Sequence, residues 1–163
     1  MTQGPETKAG DFPALIRRMT QAAVRGDGRA VRACFTPDGV YHDCFYGAFR
    51  GDAIISMIEE CFHRDAREFR WDIHAPLSDG VTGYARYVFS YESRLPGAEG
   101  RRAGFEGMAV CTLREGLIES YREIANSLVA LQALGFAPDR LARLAARESA
   151  AFFASPEASA HRS

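Results

Sequence analysis

The sequence predicts a single α+β domain in which N-terminal helices lead into an antiparallel sheet, and three observations carry that prediction. Near the N-terminus, Leu15, Ile16, Met19, Ala22 and Ala23 recur at helical spacing. From Phe69 onward the apolar pattern changes to period two, with turn-forming clusters between the alternating runs. The 163 residues suit one domain that buries about two-thirds of its unfolded surface.

Residues 1–10 are polar and carry Gly4, Pro5 and Gly10, which predicts a flexible tail. A helix then runs from Phe12 to Gly26, where glycine accepts the left-handed backbone of a helix end. Asp27 caps a short second helix through Ala30, Val31 and Phe35, and Pro37-Asp38-Gly39 forms a turn. Val40 to Cys44 reads as a short strand, and Asp52 as the N-cap of a helix through Ile54, Ile55, Ile58 and Cys61. Strands follow at Phe69 to Ala75, Val81 to Ser93, Arg101 to Leu113 and Leu117 to Ala125. Their short connections, Ser78-Asp79-Gly80, Leu95-Pro96-Gly97 and Arg114-Glu115-Gly116, make the sheet antiparallel. Helices return at Leu128 to Leu134 and from Asp139 to about Ala150. The domain is therefore expected to span residues 11–150, with a frayed tail at residues 151–163.

Composition excludes several function classes. Lys+Arg 20 against Asp+Glu 21 leaves no basic excess for nucleic acid. No apolar run approaches the ~20 residues of a membrane span, and the N-terminus carries no apolar signal region, so neither a membrane partner nor secretion is expected. Cys34, Cys44, Cys61 and Cys111 form no CxxC pair, which fits buried thiols in a reducing cytoplasm. His42, His63, His74 and His161 show no HxH or HExxH spacing, so no metal is expected.

Several strings stand in a distinctive order: Gly26-Asp27, Phe35-Thr36-Pro37-Asp38-Gly39-Val40-Tyr41-His42-Asp43 and Phe49-Arg50-Gly51, then Phe105-Glu106-Gly107-Met108, Arg114-Glu115-Gly116-Leu117-Ile118-Glu119 and Ala130-Leu131-Gln132-Ala133-Leu134-Gly135. Together they resemble the SnoaL-like polyketide cyclases of the nuclear transport factor 2-like superfamily. The match covers about Phe12 to Gly135. It implies a cone-shaped fold, a curved sheet wrapped by helices around a small-molecule pocket, and a homodimer joined through the sheet's outer face. The aromatic-rich sheet, which needs both faces covered, points the same way.

The resemblance also locates site residues. Asp43 falls where ketosteroid isomerases carry their general-base aspartate, and an aspartate facing an apolar cavity gains basicity. The positions of their tyrosine and protonated aspartate, which stabilise the enolate oxygen, hold Met19 and Ala109. Asn126 stands where SnoaL-like cyclases have an acid/base aspartate, and an amide cannot exchange a proton there. Its alternative is to cap the helix from Ser127. Glu123 and Arg86 match a carboxylate and the central arginine of limonene-epoxide hydrolases, whose second carboxylate falls at Val88. His74 becomes catalytic if it reaches Asp43 or Glu123.

Alternation places Tyr41 beside Asp43, and Tyr121 beside Glu123. Trp71 and Phe105, with Tyr84, Tyr87, Phe89 and Tyr91, supply aromatic walls for core or pocket. The expected ligand is small, hydrophobic or aromatic, handled without a cofactor by isomerisation, dehydration or cyclisation. Asp43 would remove a proton, Tyr41 or Tyr121 would donate to the oxygen, and Glu123 or His74 would return the proton. A non-catalytic binding module of the same fold is the alternative, since Ala109, Val88 and Asn126 carry no titratable group.

Overall fold

The computed structural model describes residues 11–162; the tail expected at residues 1–10 lies outside them. Helix α1 (Phe12–Arg25) opens where the Asp11 carboxylate accepts from Ala14 N at 3.3 Å, with proline in its first turn. It ends at Gly26, whose φ of 77° is the left-handed conformation a glycine adopts without steric cost. Its buried stripe, Phe12, Leu15, Ile16, Met19, Ala22 and Ala23, packs into the central core. Helix α2 (Gly28–Arg32) has the predicted cap: the Asp27 side chain accepts from Ala30 N at 2.9 Å.

Strand β1 (Phe35–Asp43) begins earlier than expected and turns back through β2 (Gly47–Arg50), a strand the alternation did not predict. The next helical segment differs too. Asp52 makes no capping bond; its backbone is already helical and its carboxylate pairs with Arg32 at 3.0 Å. Helix α3 (Ala53–Ser56) passes into a π-helical turn (Met57–Phe62) and a last short turn, α4 (His63–Asp65). Such π segments recur at functional sites, and this one carries Phe62.

Strands β3 (Ala66–Ser78), β4 (Thr82–Ser93), β5 (Arg102–Arg114) and β6 (Leu117–Ala125) form an antiparallel meander. The full sheet runs β2-β1-β6-β5-β4-β3. It is mixed rather than wholly antiparallel, because β1 joins β6 in parallel, with Tyr41 opposite Tyr121. No hairpin links those two strands, so turn chemistry did not fix their direction. Irregularities in β3 fall near Glu68 and Ala75, which have φ of 51° and 44°, and such bulges bend a strand.

The inner face of the sheet carries Tyr41, Ala85, Tyr87, Phe89, Phe105, Ala109 and Tyr121, all buried. The outer face leaves Tyr84, Val88, Met108 and Ile124 exposed. Helix α5 (Leu128–Ala133) packs on β5, and α6 (Pro138–Ala154) continues beyond residue 150. A 3-10 turn (Ser159–Arg162) follows, with Ala158 buried and its N–H bonded to Ser155 Oγ at 3.2 Å. Residues 151–162, where a tail was expected, comprise the end of α6 and this turn. Among the described residues no helix is long and apolar enough to cross a membrane.

Candidate functional site

The parallel β1–β6 register creates the site. Tyr41 lies opposite Tyr121 and His42 opposite Arg122, so Asp43 and Glu123, one step further on, face the interior side by side. Their carboxyl groups meet on a small inner cell whose other walls are Cys44, Phe45, Phe62, Trp71, Phe89 and Phe105. The cell's volume is about 20 Å³, room for one water-sized group. An outer chamber of about 290 Å³ adjoins it, walled by residues that include Phe45, Phe62, Phe69, Phe89, Tyr91 and Leu131. Phe45, Phe62 and Phe89 belong to both walls. Phe62 stacks on Phe69 with ring centres 4.3 Å apart, and Trp71 meets Phe89 edge-on at 5.1 Å.

The two carboxylates are held differently. Asp43 Oδ1 accepts backbone N–H bonds from Phe45 at 2.7 Å and Tyr46 at 2.9 Å, which anchors the turn between β1 and β2. Burial raises the Asp43 pKa, opposed by those two N–H donors. Glu123 Oε1 accepts from the Tyr121 hydroxyl at 2.7 Å. Burial, and secondarily the nearby Asp43 charge, push Glu123 up to about 7, against the stabilising Tyr121 bond. Near neutrality Glu123 is therefore close to its own midpoint, coupled to the neighbouring Asp43 carboxyl. The Cys44 thiol beside it is raised by burial and then by the Glu123 charge, which disfavours the nucleophilic thiolate.

Second-layer aromatic groups fix this geometry. The buried Tyr41 ring lies 4.5 Å from that of Tyr121, and Ala109 sits across from Glu123 on β5. Tyr87 is fully buried, and its hydroxyl lies against Gly107, where a Cβ would come within 2.5 Å of the oxygen. That oxygen faces Glu123 but makes no hydrogen bond of regular geometry.

The fold separates the sequence-predicted residues into two groups. Asp43, Glu123, Tyr121, Tyr41, Trp71, Phe105 and Ala109 gather at or directly behind the cell. His74 and Arg86 do not: they are cross-strand partners on the outer face, where Arg86 pairs with Glu106 at 3.2 Å. The inner positions belong to their neighbours Ile73 and Tyr87, also paired, because alternation turns adjacent residues to opposite faces. Asn126 is exposed at a groove between α5 and α6, and Ser127 makes no side-chain cap. Met19 is fully buried in the core and lines neither chamber. The expected Tyr121 donation to a ligand is also revised, since its hydroxyl is committed to Glu123.

Phe45 and Phe62 were not singled out from sequence. The Ile54, Ile58, Phe62 spacing could have marked Phe62 as an inward residue, whereas nothing local marks Phe45. Among the described residues no group of three or more His, Cys, Asp or Glu is placed to hold a metal ion.

Comparison with known proteins agrees with this architecture. A ketosteroid isomerase-like protein from Catenulispora acidiphila, solved with trimethylamine, superposes with TM-score 0.69 at 18% identity over 78% of this chain and 97% of its own. An LEH-like epoxide hydrolase from M. tuberculosis gives 0.61 at 19% identity over 80% and 92%. A candidate polyketide cyclase from Xanthomonas campestris gives 0.60 at 20% identity over 75% and 96%. At such identities the likeness establishes the fold alone. No curated protein sequence matches significantly. The SnoaL-like domain model matches residues 16–121, from α1 through the strand that brings Tyr121 to the cell, and on that match the chain belongs to the SnoaL-like domain family.

Proposed function

We propose that this protein performs cofactor-free proton transfer on a small cyclic or polyketide-type ligand, as an isomerase, dehydratase or cyclase. The observation that carries the reading is the convergence of Asp43 and Glu123 on one apolar-walled cell. Ionised Asp43 removes a proton from carbon, and its burial strengthens it as a base. Glu123, pushed up to about 7, holds a proton near neutrality and returns it to carbon or to a departing hydroxyl. Two carboxyl groups whose surroundings separate their proton affinities can act as base and acid together.

The test is hydrogen exchange in heavy water. Small cyclic ketones and β-hydroxy ketones should exchange the hydrogen next to the carbonyl when the protein is added. Asp43→Asn should lower that rate by about 10²–10⁴-fold while leaving the fold intact. A panel that shows no exchange above buffer, or an Asp43→Asn variant as fast as the wild type, would contradict the proposal.

A second reading, ligand capture without turnover, draws on the two backbone N–H groups that tie Asp43 Oδ1 into a turn. It predicts binding without exchange. For assembly, we propose a cytoplasmic homodimer joined through the exposed Tyr84, Val88, Met108 and Ile124 face.

A further inference from the structure

The polar groups around the inner cell have a particular complement. Among the described residues Asp43 bonds only through Oδ1, and Oδ2 has no hydrogen bond. Glu123 uses Oε1 for Tyr121. One buried donor of the cell wall, Trp71 Nε1, makes no hydrogen bond to any described group, whereas Tyr87 Oη lies behind the wall and faces Glu123. Trp71 forms part of the cell wall, and the Tyr87 ring meets the indole edge-on at 5.8 Å. Buried donors without acceptors are costly, and native proteins rarely leave them so.

Three kinds of occupant fail this complement. An apolar group would satisfy neither donors nor acceptors. A carboxylate would meet two other carboxyl groups, and an ammonium would turn its N–H bonds toward those of Trp71. A hydroxyl accepts from an N–H and donates to a carboxylate oxygen with the same atom. The cell's volume, about 20 Å³, admits a group of that size and no ring.

We propose that the inner cell is a subsite for a single hydroxyl group, so that the ligand is a small ring-bearing alcohol or phenol whose ring lies in the outer chamber. The hydroxyl accepts from Trp71 Nε1 and donates to the carboxyl pair. The ring sits among Phe45, Phe62, Phe69 and Phe89, and the outer chamber's 290 Å³ restricts it to one or two rings. Phe45 and Phe62 separate the two spaces from a turn and from the π-helical segment, and they set which ligands pass. The subsite rests on the reading of these cavities as the ligand site, but not on turnover.

Trp71 is the protein's one tryptophan and reports on the cell directly. Titration of the whole chain with indanol, its methyl ether and the corresponding indanyl ammonium, followed by tryptophan fluorescence and calorimetry, tests the proposal. Indanol should bind at least about tenfold more tightly than either analogue. Trp71→Phe, read by calorimetry, should weaken indanol binding by about tenfold, and an unchanged indanol affinity would overturn the assignment of the indole N–H. Equal affinities, tightest binding of the ammonium, or no binding of indanol would overturn it. Indanol binding without hydrogen exchange on ketones would sink the proton-transfer reading and leave the subsite standing; exchange without hydroxyl preference would do the reverse.

Discussion

Replacing Glu123 by glutamine removes a buried ionisable group while keeping its shape and the oxygen that accepts from Tyr121. In the folded chain the Glu123 pKa rises from 4.5 to about 7, chiefly through burial. A carboxyl group raised in the folded state contributes stability below its unfolded pKa, and that contribution is lost as pH climbs through the folded value. The window therefore runs from about pH 4.5 to about pH 7. At about 1.4 kcal/mol per pH unit the loss is about 3 kcal/mol, or roughly 6–12 °C in Tm for a domain of this size.

Glutamine does not titrate. Thermal unfolding from pH 4 to pH 8.5 should thus show the variant gaining on the wild type as pH rises, with the difference levelling off above about pH 7. Melting curves that stay parallel across that range would refute the buried-charge account of Glu123.

Further outcomes follow from packing. Gly107→Ala would place a methyl 2.5 Å from Tyr87 Oη and 2.9 Å from Ala125 Cβ, so unfolding should show a loss of about 1–3 kcal/mol. Adding Tyr87→Phe removes the nearest atom and should recover part of that loss. Val88→Arg with Met108→Glu changes the exposed outer face far from the cell; sedimentation should report a dimer for the wild type and a monomer for the double variant. A wild type that sediments only as monomer would contradict the proposed interface.

Much of the fold was legible because local chemistry decides it. Asp27 and Gly26 cap as their residue types require, and the hairpin signals fix the β3 to β6 meander. The parallel β1–β6 pairing was not legible: it joins segments about eighty residues apart through no turn, and register across such a gap is set by tertiary packing. Asp43 and Glu123 were both picked out singly, yet their meeting depends on that pairing. Arg86 was located by resemblance and His74 by its place near a strand end, both without a register, and they lie on the outer face; one step of alternation separates Arg86 from the buried Tyr87. Phe45 entered the site through the Asp43 turn, a contact no periodicity announces.

The most direct test of the shared carboxyl cell is a carbon NMR titration of glutamate labelled at the side-chain carboxyl, with Glu123 assigned by its loss in Glu123→Gln. A midpoint near 7 that falls on Asp43→Asn, where the neighbouring charge is gone, is the predicted result. A Glu123 midpoint near 4.5, unmoved by Asp43→Asn, would show that the two groups neither lie buried together nor share a proton.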